Sequence, residues 1–288
     1  MAACDTNDDF TNPSFLHIDG ITLAPSTATG IGHGDPGFYT SDIVAAYVVA
    51  HRKDINHVDT LGLFHTPFTI PVLFDGELDY LELYPAVEQS GVSAALPFYT
   101  YYDRIRLNNV TLHSGDTLNL GTISTTYNSL TDIPMLYEPF EPTEANVATD
   151  TVVEWVRHDR DGACVGEGYG RVSVSSDQSN VSFAIDHEFQ LYDRTKLCYL
   201  ELDIKTTVTV GVYMKAAYTQ GGNPDTKGIM DIHPQEEWQH MYINLGRTWA
   251  HFNHPTTFRL SFAALNVDGV DGEVLIDNIK VLSTSVVL

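Results

Sequence analysis

Short runs of β-branched and aromatic residues recur along the whole chain, separated by Gly, Pro, Asn and Asp, and helical periodicity is almost absent. In the first half the predicted strands are FLHIDGITL (15–23), DIVAAYVVA (42–50), LGLFH (61–65), FTIPVLF (68–74), LDYLELYP (78–85), FYTYYDRIRL (98–107) and DTLNLGTI (116–123). Their spacing suits a β-sandwich. FDGE at 74–77 supplies an Asp-Gly turn and predicts a hairpin. Alternation in LDYLEL puts Leu78, Tyr80 and Glu82 on one face and Asp79, Leu81 and Leu83 on the other. After the loop-like stretch 137–150, rich in Pro, Glu and Asn, strands resume at 151–158, 170–176, 181–186, 196–205, 207–218, 238–245, 257–265 and 272–283. In KLCYLELDIK, Cys198, Leu200, Leu202 and Ile204 share one face while Tyr199, Glu201 and Asp203 share the other, as in a half-buried strand. This second series suits a jelly roll. The pattern therefore predicts an all-β chain of two antiparallel β-sandwich domains, over 15–136 and 137–288, behind a short leading segment at 1–14.

Composition narrows the function. With 288 residues and 43% hydrophobic positions a sizeable core is expected. Fifteen Lys and Arg against 38 Asp and Glu give a net charge of −23. That field repels phosphate backbones and anionic headgroups, which excludes nucleic acid and an electrostatic membrane patch as main partners. It suits solubility or cation binding. The longest apolar run, IVAAYVVA at 43–50, has the length of a strand, far from the ~18 residues of a membrane helix. Neither a basic segment nor an apolar core precedes Cys4.

Catalytic signatures are scarce. There is no G-x-S-x-G elbow, no Walker loop and no H-E-x-x-H; HEFQL at 187–191 lacks the second His. The glycine-rich GIGHG (30–34) and GEGYG (166–170) read as loops. The many acids read as a solvated surface, with a facing carboxylate pair of a glycosidase as the alternative. His233, His240 and HFNH at 251–254 read as surface or loop histidines rather than a zinc set. Among the aromatics, Trp249 and Phe252 in the apparent loop 246–255, with Tyr218 beside TQGGNPD (219–225), are the candidate stacking platform for a sugar; packing of the loop itself is the alternative for Trp249. Trp155 and Trp238 lie within strands and are assigned to the core. Of three cysteines, Cys164 and Cys198 either form a disulfide or remain two buried thiols, and Cys4 is left over.

Two stretches resemble known families. The segment 65–107, through Pro67, Ile70, Pro71, Val72, Leu73, Gly76, Pro85, Gly91, Ser93, Pro97, Phe98 and Tyr99, resembles the N-terminal domain of a group of Bacteroidetes lipoproteins. Its strand–Pro–turn–strand part is similar to PEGA-type and carboxypeptidase-regulatory-like sandwiches. EEWQHMYINLG and the terminal GEVLIDNIKVLS resemble strands of galactose-binding-like jelly rolls, a fold used by carbohydrate-binding modules. The latter resemblance implies a structural calcium ion at Asp277, with Glu141 or a nearby acid as partner. Asp268 and Asp271 in NVDGVDGE sit on Gly turns, but their spacing is not that of an EF-hand. Ala2-Ala3-Cys4 resembles the end of a lipobox, with Cys4 as the lipidated residue, and Asp5, Asp8 and Asp9 resemble a surface-export signal. The expectation is a non-catalytic outer-membrane surface lipoprotein, an Ig/PEGA-like domain followed by the jelly roll, attached through Cys4 alone and facing the cell exterior. Its partner would be a glycan bound by the jelly roll, or an outer-membrane uptake or secretion complex of which it is a subunit; a glycan-degrading enzyme is the third reading.

Overall fold

The computed structural model describes residues 12–26, 34–53, 57–128, 135–141, 152–157, 165–191, 197–217, 225–252 and 257–284. Cys4, Cys164 and Tyr218 lie outside the described residues. The chain is all-β and divides into two compact units.

The first unit comprises Met1–Leu23, Ile43–Val87 and Pro97–Thr126. Its strands are β1 (Ser14–Ile18), β2 (Gly20–Leu23), β3 (Ala45–Arg52), β4 (His57–His65), β5 (Phe68–Val72), β6 (Gly76–Ala86), β7 (Ile105–Asn108), β8 (Thr111–Leu112), β9 (Thr117–Asn119) and β10 (Thr122–Thr125). One layer holds the sheet β5-β1-β9 and the pair β10-β2; the other is β4-β3-β6-β7, with β8 also on β6. Leu16 and Val72 from the first layer meet Ala50, Leu78 and Leu81 from the second across the interior. The pairings are antiparallel except β1 with β9 and β2 with β10, which are parallel.

Three local expectations change here. The Asp75-Gly76 turn does not close a hairpin: β5 pairs with β1, while β6 pairs with β3, β7 and β8, so the chain crosses between layers at that turn. Leu78 is buried with Leu81 and Leu83 rather than grouped with Tyr80 and Glu82. A register shift opposite His51 and Arg52 inserts a residue, and that reverses the alternation. The stretch 98–107 is a strand only from Ile105, because the aromatic residues before it form turns and isolated bridges, Phe98 bridging to Ala86.

The second unit gathers Ala24–Asp42, Glu88–Leu96 and Tyr127–Leu288. The segments 24–42, 88–96 and 127–136 thus belong with the jelly roll, which a division at 137 drawn from composition does not anticipate. Its strands are β11 (Leu136–Glu138), β12 (Glu154–Arg157), β13 (Gly168–Val174), β14 (Asn180–Ala184), β15 (Cys198–Thr206), β16 (Thr209–Ala217), β17 (Asp225–Ile232), β18 (Gln235–Asn244), β19 (Thr257–Leu265) and β20 (Gly272–Ser283). The sheet β12-β13-β20-β15-β18, with β11 added on β20, packs against β14-β19-β16-β17. Leu200, Leu202 and Ile204 of β15 share the core with Val210, Val212 and Met214 of β16. Cys198 is a free thiol in that core, and burial pushes its pKa up.

Candidate functional site

The face of β15 opposite the core is the unexpected feature. Tyr199, Glu201 and Asp203 alternate away from the core as the sequence predicts, yet they are 4%, 0% and 6% exposed. The cover comes from a one-turn 3-10 helix, Pro36–Tyr39, and from Tyr127 and Tyr137. Asp35 caps that turn by accepting from the Gly37 N–H at 2.8 Å, and its other oxygen accepts from the Tyr137 hydroxyl at 2.8 Å. Gly37 is required there: a Cβ would collide with the Asn278 side-chain amide.

Beneath this cover lies an ionic cluster. Lys280 stands directly across from Glu201 in the β15–β20 register, and both are fully buried. The Lys280 Nζ donates to Glu201 Oε2 at 2.9 Å, to the Phe38 carbonyl at 2.7 Å and to the Tyr127 hydroxyl at 2.8 Å. It also lies 5.1 and 5.2 Å from the Phe38 and Tyr127 ring centroids. Tyr127 in turn donates to Glu201 Oε2 at 2.5 Å. On the neighbouring strand, His240 bridges the two acids of β15: Nδ1 is 2.8 Å from Asp203 Oδ1, and Nε2 is 3.5 Å from Glu201 Oε2. Asn278 donates to the second oxygen of Asp203 at 2.8 Å.

The electrostatics follow from that wiring. Burial alone would raise the Glu201 pKa, but Lys280 and His240 overcome it and hold the carboxyl below its usual range. Burial likewise opposes the Asp203 anion, and His240 with Asn278 brings its pKa down. His240 is pulled the other way: burial lowers its pKa, but Asp203 and Glu201 raise it above 6.5. The cluster is charged, paired and closed to water, so these carboxylates are structural.

The same face is open at its other end. Trp238 of β18 and Tyr169 of β13 reach over the intervening strands until their ring centroids are 5.8 Å apart, with 73° between the planes. Both rings are half-buried. A row of half-buried side chains, Arg171, Leu275 and Lys205, crosses the sheet on this same face by register. Arg171 is anchored by Glu154 at 2.9 Å.

The sequence-predicted site residues fall elsewhere. Trp249 and Phe252 are 2% and 1% exposed and belong to the core. The predicted loop coils into a helical turn, α1 (Gly246–Trp249), that points Trp249 inward, and Phe252 packs on Phe258 at 5.3 Å. They do not form a platform. Conversely, Trp238 is not core, and Trp155 is 46% exposed on edge strand β12, its Nε1 donating to the Phe140 carbonyl at 2.6 Å. Asp277 is fully buried and accepts from the Asn278 N–H at 2.8 Å, while Glu141 accepts from the Glu167 N–H at 2.7 Å. Both carboxylates act on the Tyr137 hydroxyl, whose pKa is raised first by burial and then by Asp35. Among the described residues no group of three or more His, Cys, Asp or Glu side chains could hold a metal ion. Asp271 serves as turn chemistry, accepting from the Ser176 N–H at 2.7 Å.

No protein-family model matches the chain, and no curated protein does. Among solved structures, the chain is similar to a family 11 carbohydrate-binding module from Clostridium thermocellum, solved with a β-1,3-1,4-mixed-linked tetrasaccharide. That match has 13% identity over 47% of this chain and 86% of that one, with a TM-score of 0.33. A C-terminal family 22 carbohydrate-binding module of Clostridium thermocellum Xyn10B matches at 13% identity, over 54% and 97% of the two chains, with a TM-score of 0.33. The enzymatically active domain of tailspike protein 4 from bacteriophage CBA120 matches at 14% identity, over 58% and 26%, with a TM-score of 0.38. The fold and the site of the present chain rest on its own strands and side chains.

Proposed function

We propose that the chain is a non-catalytic carbohydrate-binding protein whose second unit holds its ligand at the open end of the β12–β18 sheet face. The Trp238–Tyr169 pair carries the reading. Two rings set nearly at right angles offer one apolar face and one edge to a pyranose, and flat rings lose little freedom when they engage it. Arg171 and Lys205 flank them with hydrogen-bond donors for hydroxyls. The ionisable cluster at the covered end offers no acid or base to a bound sugar, because Glu201 and Asp203 are committed to Lys280, His240 and Asn278.

The proposal includes a surface location with acyl chains on Cys4; its support is the sequence Ala2-Ala3-Cys4 and the acids at 5, 8 and 9. A glycan-array screen with Trp238→Ala as control tests the ligand. A glycan signal reduced about tenfold or more in the variant, with unchanged melting, supports the reading. A signal that Trp238→Ala leaves intact, or none on any glycan, refutes it. Mass spectrometry of the protein from native membranes tests the anchor, and an unmodified Cys4 rejects it.

A further inference from the structure

The first unit carries a feature that the reading of the second does not use. On the outer face of β3, β6 and β7, Glu82 is buried, its side chain 5% exposed, and three groups surround it. The Arg104 Nη1 lies 3.2 Å from Oε1; the Tyr84 hydroxyl donates to Oε2 at 3.0 Å; His51 Nε2 stands 3.3 Å from the same oxygen. Next to them Tyr80 is sandwiched between His51, stacked at 3.9 Å, and the Arg106 guanidinium, 3.4 Å from the ring centroid. Burying a carboxylate is costly unless it is paired, so Glu82 fixes the groups around it. Arg104 is held by Glu82 and by the Tyr84 hydroxyl, yet its side chain remains 57% exposed.

Beside this arginine runs a groove of about 310 Å³ lined by Tyr84, Phe98, Thr100, Tyr102 and Arg104 among others. That volume is at the small end of the ~300–1,000 Å³ typical of ligand pockets. Phe98 is 58% exposed and its ring stands 6.3 Å from Tyr84, inclined at 63°. A large ring held in solvent beside an anchored guanidinium pairs two recognition elements. The ring takes an apolar ring face, and the planar fork takes a carboxylate through two parallel hydrogen bonds.

Charge chooses between a neutral and an acidic ligand. The whole chain carries −23, yet the charged side chain that lines the groove is Arg104, and its partner Glu82 is buried. Asp103, the nearest other acid in sequence, is turned toward the Thr126 hydroxyl. At physiological salt the Debye length is about 8 Å, so the local charge outweighs the distant acids.

We infer that the first unit carries a ligand site of its own, in the groove between Phe98 and Arg104, for the uronate residues of an acidic glycan. Phe98 stacks on the pyranose face and Arg104 grips the C6 carboxylate. The site does not depend on the Trp238 reading.

Isothermal titration of the full chain with trigalacturonate, and with the uncharged galactose trisaccharide as comparison, tests it. Trigalacturonate is expected to bind at least tenfold more tightly than the neutral sugar, and more weakly as salt rises. Phe98→Ala is expected to cost at least tenfold, with melting unchanged because the ring is exposed. Arg104→Gln is expected to abolish the preference for the acid. Should that variant melt early because Glu82 loses its partner, Arg104→Lys keeps a cation on Glu82 and still loses most of the preference, since an ammonium cannot make the paired bonds. Absence of trigalacturonate binding, equal binding of the neutral sugar, or full binding by Phe98→Ala overturns the inference. A signal on acidic glycans that survives Trp238→Ala but not Phe98→Ala supports this site, and a signal on neutral glycans lost in Trp238→Ala alone reports on the second unit separately.

Discussion

Replacing Lys280 by Met removes the centre of the buried cluster while keeping the volume of the side chain. The ammonium has no exposure and satisfies three acceptors, the Glu201 carboxylate, the Phe38 carbonyl and the Tyr127 hydroxyl. Its loss leaves Glu201 charged and buried without its cation, with Tyr127 and the more distant His240 still beside it. Breaking a buried pair from one side costs about 3–5 kcal/mol, and an orphaned carbonyl adds about 1–3 kcal/mol. Lys280→Met should therefore lower the stability of the second unit by at least about 3 kcal/mol. The double variant Lys280→Met/Glu201→Leu removes the stranded charge. It should be more stable than the sum of the single changes by about 1–3 kcal/mol, though short of wild type, because the Phe38 carbonyl and Asp203–His240 still lack former neighbours. Urea unfolding followed by tryptophan fluorescence, with core residue Trp249 in this unit, measures all three variants. A cost below about 1 kcal/mol for Lys280→Met, or strict additivity in the cycle, would refute the picture of a closed, mutually dependent cluster.

The cluster also fixes a pH dependence. Glu201 and Asp203 have pKa values below their ordinary 4.5 and 3.8, so the stability they contribute is present above those values and is lost as pH falls toward the folded-state values. His240 lies above 6.5, so its contribution is complete below 6.5 and is lost as pH rises through the raised value. Asp42, raised by burial against the pull of His240, favours the acid side and flattens that limb. Stability should peak between 4.5 and 6.5, and His240→Gln should remove the fall on the alkaline side; a profile that this variant leaves unchanged in urea melts contradicts the assignment. Trp249→Ala should cost about 3–5 kcal/mol in the same melts while the folded protein keeps its glycan affinity, because that ring fills the core; lost binding at unchanged stability would restore the loop reading.

The hydrophobic alternation of β15 was legible because it follows from the two-residue repeat of a strand, and the core-facing set Cys198, Leu200, Leu202 and Ile204 emerged as expected. The opposite set was not. Tyr199, Glu201 and Asp203 have the composition of a solvated face, and nothing local distinguishes a charge facing water from one facing a buried lysine. The information lies in pairings far apart in the chain: Lys280 meets Phe38 across 242 positions and Tyr127 across 153. The one local hint was Lys280 between Ile279 and Val281-Leu282 in the terminal strand, where an unpaired charge could not remain. The tryptophans failed for a related reason. A ring in a strand can face either side, and Trp238 follows His240 and Tyr242 onto the outer face, whereas the apparent loop around Trp249 is a helical turn folded into the core.

One sheet face is thus treated in two ways along its length. At the covered end, the ions of β15, β18 and β20 pair with one another, Lys280 with Glu201 and His240 with Asp203, and the Phe38 carbonyl and Tyr127 close over them. Such an arrangement gains little net stability over an apolar core of the same shape, because desolvating the charges offsets their attraction. What it does gain is register, since Lys280 can satisfy Glu201, Tyr127 and the Phe38 carbonyl together in only one seating of the covering turn. A fixed cover sets where the open part of the face begins, and Trp238 and Tyr169 stand in that open part. Loosening the cover should therefore weaken glycan affinity before the unit unfolds. Asp35→Ala, which removes the cap of the turn and the acceptor of Tyr137, is expected to lower affinity at temperatures well below melting, and an affinity unchanged up to the melting transition would show that the two ends are independent.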